Sequence, residues 1–261
     1  MALVNYATGM GIATLELNIP PVNSYNLDVL VELDEAIVQA RADESVFVII
    51  LRGAGDRFFC AGADVRFFDT ASPQARYNFA LFANETFNRL EWTPKLTIAA
   101  LNGTALGGGL EMAMACDLRL AKRREKMQLG LPESNLGLLP GTGGTQRLPR
   151  LIGKGRALEM MLTGKGMSPD DAQALGLVNQ VFDAEGFDDK VTEYTRQFLP
   201  PQRASKAVGA IKRAVQTGMN LSVADGIALE RELLQQLFES ADANEGIKAL
   251  LEKRKPTFSG H

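Results

Sequence analysis

The sequence predicts an α/β layered fold with an all-helical C-terminal appendage, and three observations carry that prediction. Apolar runs of strand length alternate with segments of helical periodicity through most of the chain. The run Val46-Phe47-Val48-Ile49-Ile50-Leu51 is unbroken and rich in β-branched residues, as a strand covered on both faces requires. Beyond Pro200-Pro201 the strand signals vanish and only helical patterns remain. With 261 residues, 46% of them hydrophobic and 23% charged, the chain can bury one large core and still carry an appendage.

Ile12 to Leu17 reads as an opening strand, after which Leu27, Leu30, Val31, Ile37 and Val38 recur at helical spacing. Val46 to Leu51 then reads as a central, parallel strand. A long helix is expected over Pro73 to Trp92, a third strand over Leu96 to Leu101, and a glycine-rich turn leads into a helical stretch from Gly108 to Ala115. The order β-α-β-α-β-α is that of a layered α/β protein. Ser168-Pro169-Asp170-Asp171 starts a helix with proline at its first position, and Gly176 stops it before Leu177 to Phe182. The tail reads as helices over Gln202 to Thr217, Ser222 to Ser240 and Asn244 to Glu252, whose apolar stripes need the core or a neighbouring subunit to cover them.

Composition excludes much. The net charge of −3 lacks the cationic excess that phosphate-backbone binding exploits, so no nucleic acid partner is expected. Met1 to Tyr6 lack a basic region followed by an apolar one, and no apolar run approaches the ~20 residues of a membrane span, so a soluble, cytoplasmic protein is expected. Cys60 and Cys116 lie inside apolar segments and read as buried thiols. The single histidine is His261, the last residue, which removes Ser-His-Asp and Cys-His triads and histidine-rich zinc sites.

Glycine concentrates at Gly53 to Gly55, Ala61 to Ala63, Gly103 to Gly109 and Gly141 to Gly144. In Gly141-Thr142-Gly143-Gly144-Thr145-Gln146 a glutamine stands where a dinucleotide fingerprint needs its third small residue, and Gly153-Lys154 and Gly164-Lys165 lack the Ser or Thr of a phosphate loop. Glycine turns between a strand and a helix have another use. Without side chains, their N–H groups can point at an anion or at a carbonyl oxygen becoming one. The segment after Phe58-Phe59-Cys60 and the turn at Gly107-Gly108-Gly109 could each lend one such N–H.

Three segments resemble the signatures of the crotonase, or enoyl-CoA hydratase/isomerase, superfamily. They are Phe58-Phe59-Cys60-Ala61-Gly62-Ala63-Asp64-Val65, then Asn102 to Glu111, then Leu131-Pro132-Glu133 with Gly137 and Pro140 to Leu148. The resemblance implies a spiral of ββα repeats over residues 1–200 and a helical trimerisation region over 201–261, assembled as a homotrimer or a dimer of trimers. It implies an acyl-CoA thioester as substrate, with the backbone N–H groups of Ala63 and Gly108 as an oxyanion hole. The CoA-binding residues would be Ala61, Gly62, Ala63, Asp64, Val65, Arg66 and Gly108, with Arg66 standing where many relatives have lysine. No metal or redox cofactor is implied, since coenzyme A belongs to the substrate.

A glutamate taken by itself is most often a solvated surface charge. Position within two signatures singles out Glu111 and Glu133, and water addition to a conjugated thioester needs a base for water and an acid for Cα. The resemblance gives Glu111 the water and Glu133 the proton at Cα. Val22-Asn23-Ser24-Tyr25-Asn26 departs from the Asn-Ala-Leu/Met-Asn form common in hydratases, which leaves a double-bond isomerase as the runner-up; another acyl-CoA lyase and a silent acyl-CoA-binding protein are the further alternatives. Tyr25, Trp92, Phe67 and Phe68 are candidates either for an acyl pocket or for the core.

Overall fold

The computed structural model describes residues 2–260; Met1 and the single histidine, His261, lie outside the described residues. Two sheets organise the core. The larger has strand order β1-β2-β3-β5-β7-β9, built from β1 (Val4–Gly9), β2 (Ile12–Leu17), β3 (Val48–Gly53), β5 (Leu96–Leu101), β7 (Leu118–Arg123) and β9 (Gln180–Asp183). The smaller has order β4-β6-β8, from β4 (Phe58–Cys60), β6 (Thr104–Leu106) and β8 (Leu129–Gly130). The chain gives one strand to each sheet in turn, β3 then β4, β5 then β6, β7 then β8, and each pair is followed by helical structure. That is the spiral of ββα repeats.

Every pair in the larger sheet is parallel except β1 with β2. β3 pairs on both sides and is central as expected, though it starts at Val48 rather than Val46, because Val46 and Phe47 turn the chain in through bonds to Asp43 O and Gly11 O. α1 (Leu27–Ala42) buries Leu30, Leu33 and Ile37 but leaves Leu27, Val31 and Val38 exposed, so its apolar stripe is rotated from the one expected. α2 (Val65–Thr70) and α3 (Pro73–Glu91) follow β4, the latter capped by Ser72 with proline at its start. α4 (Gly108–Met114) follows β6 and is buried at all seven residues. α5 (Gly144–Ile152), α6 (Lys154–Thr163), α7 (Pro169–Ala174) and α8 (Phe187–Arg196) cover the later strands. The chain ends in α9 (Ser205–Gly218), α10 (Val223–Phe238) and α11 (Ala241–Leu251), with no strand among the described residues after β9.

Two buried asparagines hold the loop between β3 and β4, and with it the path into the smaller sheet. The Asn102 side chain accepts from Gly53 N (3.1 Å) and donates to Gly53 O (2.9 Å) and Gly55 O (2.7 Å). The Asn23 side chain accepts from Ile19 N (3.1 Å) and donates to Ala54 O (3.0 Å) and Phe58 O (2.9 Å). An amide suits this place because it presents donor and acceptor side by side. Asn102→Asp keeps the shape but turns acceptors toward Gly53 O and Gly55 O. Urea denaturation should find it less stable by roughly 3 kcal/mol, a buried polar mismatch plus an unpaired charge.

Candidate active site

The parallel smaller sheet sets the site. β4 pairs with β6 and β6 with β8, so the segments leaving the three strands emerge together, and they carry Ala63, Gly108 and Glu133 in that order. Tyr25 forms a parallel bridge with Ala63 by donating from its N to Gly62 O (3.0 Å) and accepting from Asp64 N (2.8 Å). N–H groups alternate in direction along an extended chain, so Ala63 N–H is turned away from Tyr25. Gly108 opens α4, where the first N–H groups have no partner within the helix. A side chain at Gly62 would lie 3.3 Å from Gly108 N, which measures how closely the two segments approach.

Of the other residues implied to bind CoA, Ala61 and Gly62 continue from β4 and Asp64 caps α2 by accepting from Arg66 N (3.1 Å). Val65 and Arg66 are exposed at the rim, and Arg66 pairs with Asp64 at 2.7 Å. Tyr25, Phe67 and Phe68 gather with Phe79 and Phe87 into one aromatic cluster. Trp92 does not join it and is 74% exposed at the end of α3.

Glu111 lies on α4 three residues after Gly108 and is only 2% exposed. Its Oε1 accepts from Thr142 N (2.8 Å) and Gly144 N (2.7 Å), and its Oε2 accepts from the Thr142 hydroxyl (2.5 Å). Gly144 begins α5, so the carboxylate faces the positive end of a helix. A side chain at Gly144 would come within 2.9 Å of Glu111 Oε1, which requires glycine there. Arg147 fixes the loop by donating to Thr142 O (3.1 Å) while pairing with Glu91 (2.7 Å). The glycine cluster that fails as a dinucleotide fingerprint is therefore the cradle of a carboxylate. Thr142, Gly144 and Arg147 are site residues that sequence reasoning passed over although their segment had been singled out.

Glu133 sits three residues beyond the end of β8, at the start of a 3-10 turn over Glu133–Leu136. Its Oε1 lies where a side chain on Gly107 would be, 2.7 Å from that position, and Gly107 adopts φ 53°, so glycine is demanded twice over. Glu133 Oε2 is buried without a hydrogen-bond partner among the described residues. Burial, and then repulsion from Glu111, push the Glu133 carboxyl up to about 7. Burial raises Glu111 as well, but its three hydrogen bonds and then Arg147 oppose that rise. The donors around Glu111 favour its charged form, while the bare buried oxygen of Glu133 favours its protonated one.

Comparison with known proteins agrees with this geometry. The family model described as enoyl-CoA hydratase/isomerase matches residues 7–261. The crotonyl-CoA hydratase of Syntrophomonas wolfei is 38% identical over 248 residues, covering 95% of this chain and 94% of that protein. The short-chain-enoyl-CoA hydratase of Clostridium acetobutylicum is 37% identical over 245 residues, 94% of this chain and 92% of that protein. An enoyl-CoA hydratase crystal structure from Geobacillus kaustophilus HTA426 superposes with a TM-score of 0.96 at 42% identity, over 100% of this chain and 98% of that one.

The raised Glu133 carboxyl has a thermodynamic consequence. The folded state binds its proton more tightly than the unfolded chain, so this contribution to stability is present below the ordinary value of 4.5 and is lost as pH rises through about 7. Glu133→Gln cannot ionise. Its melting temperature should match the parent's near pH 5 and exceed it near pH 8, as scanning calorimetry at the two pH values would show.

Proposed function

The chain belongs to the enoyl-CoA hydratase/isomerase family, and we propose that Glu111 and Glu133 add water across the 2,3 double bond of a 2-enoyl-CoA to give a 3-hydroxyacyl-CoA. The activity is that of an enoyl-CoA hydratase. The observation that carries the division of labour is the asymmetry of the two acids, one bound by three hydrogen-bond donors and the other pushed up to about 7 with a bare buried oxygen.

The thioester carbonyl accepts from the N–H groups of Ala63 and Gly108. Glu111 takes a proton from water as its oxygen bonds to Cβ. The π electrons move toward the carbonyl oxygen, whose growing charge the two N–H groups meet with fixed dipoles; one such donor can contribute ~3 kcal/mol to the transition state. Glu133 then delivers its proton to Cα. The reaction leaves Glu111 protonated and Glu133 ionised, and exchange of one proton resets the pair. No metal or redox group enters these steps, and coenzyme A serves as the handle through which Ala61 to Arg66 position the thioester.

The exposed apolar side chains of the tail, among them Ile211, Val215, Val223, Leu250 and Leu251, support assembly as a homotrimer or a dimer of trimers through residues 201–261. Among the described residues no helix is long and apolar enough to cross a membrane. The two buried, unbridged thiols suit a reducing compartment, and we place the enzyme in the cytoplasm.

Loss of conjugated-thioester absorbance on adding the protein to crotonyl-CoA tests the reading directly. Glu111→Gln and Glu133→Gln should each lower kcat by about 10²- to 10⁴-fold. The parent's kcat/KM should fall as pH rises through about 7, where Glu133 loses the proton that Cα needs. Intact acyl-CoA binding without turnover would replace this reading with a binding protein, and double-bond migration without hydration would replace it with an isomerase.

A further inference from the structure

Glu111 takes two of its three hydrogen bonds from Thr142, at the backbone N and at the hydroxyl, so the way Thr142 is held decides how the carboxylate is held. The N–H of Thr142 belongs to the peptide group that joins it to Gly141, and a trans peptide turns its carbonyl the opposite way. On that side the Asn84 side chain of α3 donates from Nδ2 to Gly141 O (3.0 Å). The peptide is thus bracketed, with Glu111 on its N–H and Asn84 on its carbonyl. The same nitrogen donates to Ala80 O (3.0 Å), one turn back in α3. Both partners are carbonyls, which only the nitrogen of the amide can serve, so chemistry fixes the way the side chain faces.

The neighbouring peptides of the loop are held by other means. Gly144 N–H also meets Glu111, and the carbonyl of its peptide, Gly143 O, accepts from Gln146 N (3.0 Å) and Arg147 N (2.8 Å) in the first turn of α5. Thr142 O accepts from the Arg147 guanidinium (3.1 Å), which α3 grips in turn through Asn88 (2.8 Å) and Glu91 (2.7 Å). Asn84, Asn88 and Glu91 stand at i, i+4 and i+7, on one face of α3. The bracket behind Gly144 is helix backbone, which comes with α5 itself. The bracket behind Thr142 is a side chain from a distant helix. We infer that Asn84 is a positioning residue for Glu111: by holding the carbonyl of the Gly141-Thr142 peptide it aims the Thr142 N–H and hydroxyl at the carboxylate. A hydrogen bond at a peptide's carbonyl also polarises its N–H, which strengthens that donor toward a charged oxygen.

This inference rests on Glu111 acting as the base for water, but part of its test does not. Asn84→Leu keeps the bulk of the side chain, offers Gly141 O no donor and places a better helix former in α3. The groups facing Glu111 that carry or can carry charge are Glu133 from the 3-10 turn, Arg147 from α5 with its partner Glu91 from α3, and the phenol of Tyr25; the substitution alters none of them. In Asn84→Leu the Thr142 amide proton should move upfield in the NMR spectrum. Carbon-13 NMR of the Glu111 carboxyl, assigned with Glu111→Gln, should show its titration moved upward. With crotonyl-CoA, kcat should fall by roughly three- to tenfold while KM stays within about twofold, and the acid limb of the pH profile should move up with the carboxyl. On a Glu111→Gln background the same substitution should cost little more, since both act through one group. An equal further loss on that background would overturn the inference, as would an unmoved Thr142 amide and Glu111 titration; a lowered melting temperature with both resonances and kcat unchanged is packing alone and overturns it too. If the parent fails to hydrate, the proposed function falls while the two NMR readouts still decide the role of Asn84. If hydration depends on Glu111 but neither resonance moves, the inference falls and the function stands.

Discussion

The parallel pairing of β4, β6 and β8 is the constraint on which the site depends. Each strand has only two or three residues, too few to be stable alone, and each is held because its neighbour in sequence belongs to the larger sheet. Parallel strands send their C-terminal ends in one direction. Three successive turns of the spiral therefore deliver Ala63, Gly108 and Glu133 to one place, although 70 positions separate the first from the last. The buried amides of Asn102 and Asn23 act upstream of this arrangement, because they fix the loop from which β4 departs.

Two glutamates of identical intrinsic acidity are made unlike by what surrounds them. Glu111 is the more deeply buried, and on desolvation alone it would be the harder to ionise. Its carboxylate instead meets two backbone donors at a helix start and one hydroxyl, while Glu133 meets a bare glycine and the charge of its partner. Hydrogen bonds offset part of the cost of burial at one acid and are missing at one oxygen of the other. The difference between the two acids is thus written in neighbours rather than in the acids themselves.

What was legible in the sequence follows from how far each signal reaches. β3 and β5 announce themselves because strands covered on both faces become continuous apolar runs, and the helix at Ser168-Pro169 announces itself by its cap. β4, β6 and β8 are too short to show periodicity and were legible only as glycine-rich motifs. Glu111 and Glu133 were found by position in those motifs. Thr142 and Gly144 stood in the third motif, but nothing local says that they reach back 31 and 33 residues to one carboxylate. The rotated stripe of α1 misled for a simpler reason, that valine and leucine tolerate exposure when no neighbour covers them.

The helix that carries Glu111 also explains why the C-terminal helices matter to a site they do not enter. α4 has seven residues, too few to hold itself, and is gripped at both ends. At its start the turn at Gly107 is tied by Gly107 N to Gly130 O (2.9 Å). Past its end, the buried Arg119 donates to Cys116 O and Leu177 O, both at 2.7 Å, which places a cation where the helix dipole is negative. The next residue after Cys116 is Asp117, which takes Thr97 N (2.7 Å), the Thr97 hydroxyl (2.9 Å) and Lys212 Nζ (2.8 Å) of α9. A buried ion pair of this kind adds little net stability against an apolar replacement, because desolvation offsets the attraction. Its geometry is specific, however, and it admits one register of α9 on the core. The tail is thereby docked onto the far end of the same short helix that begins at Gly108, so the placement of Glu111 is coupled to α9.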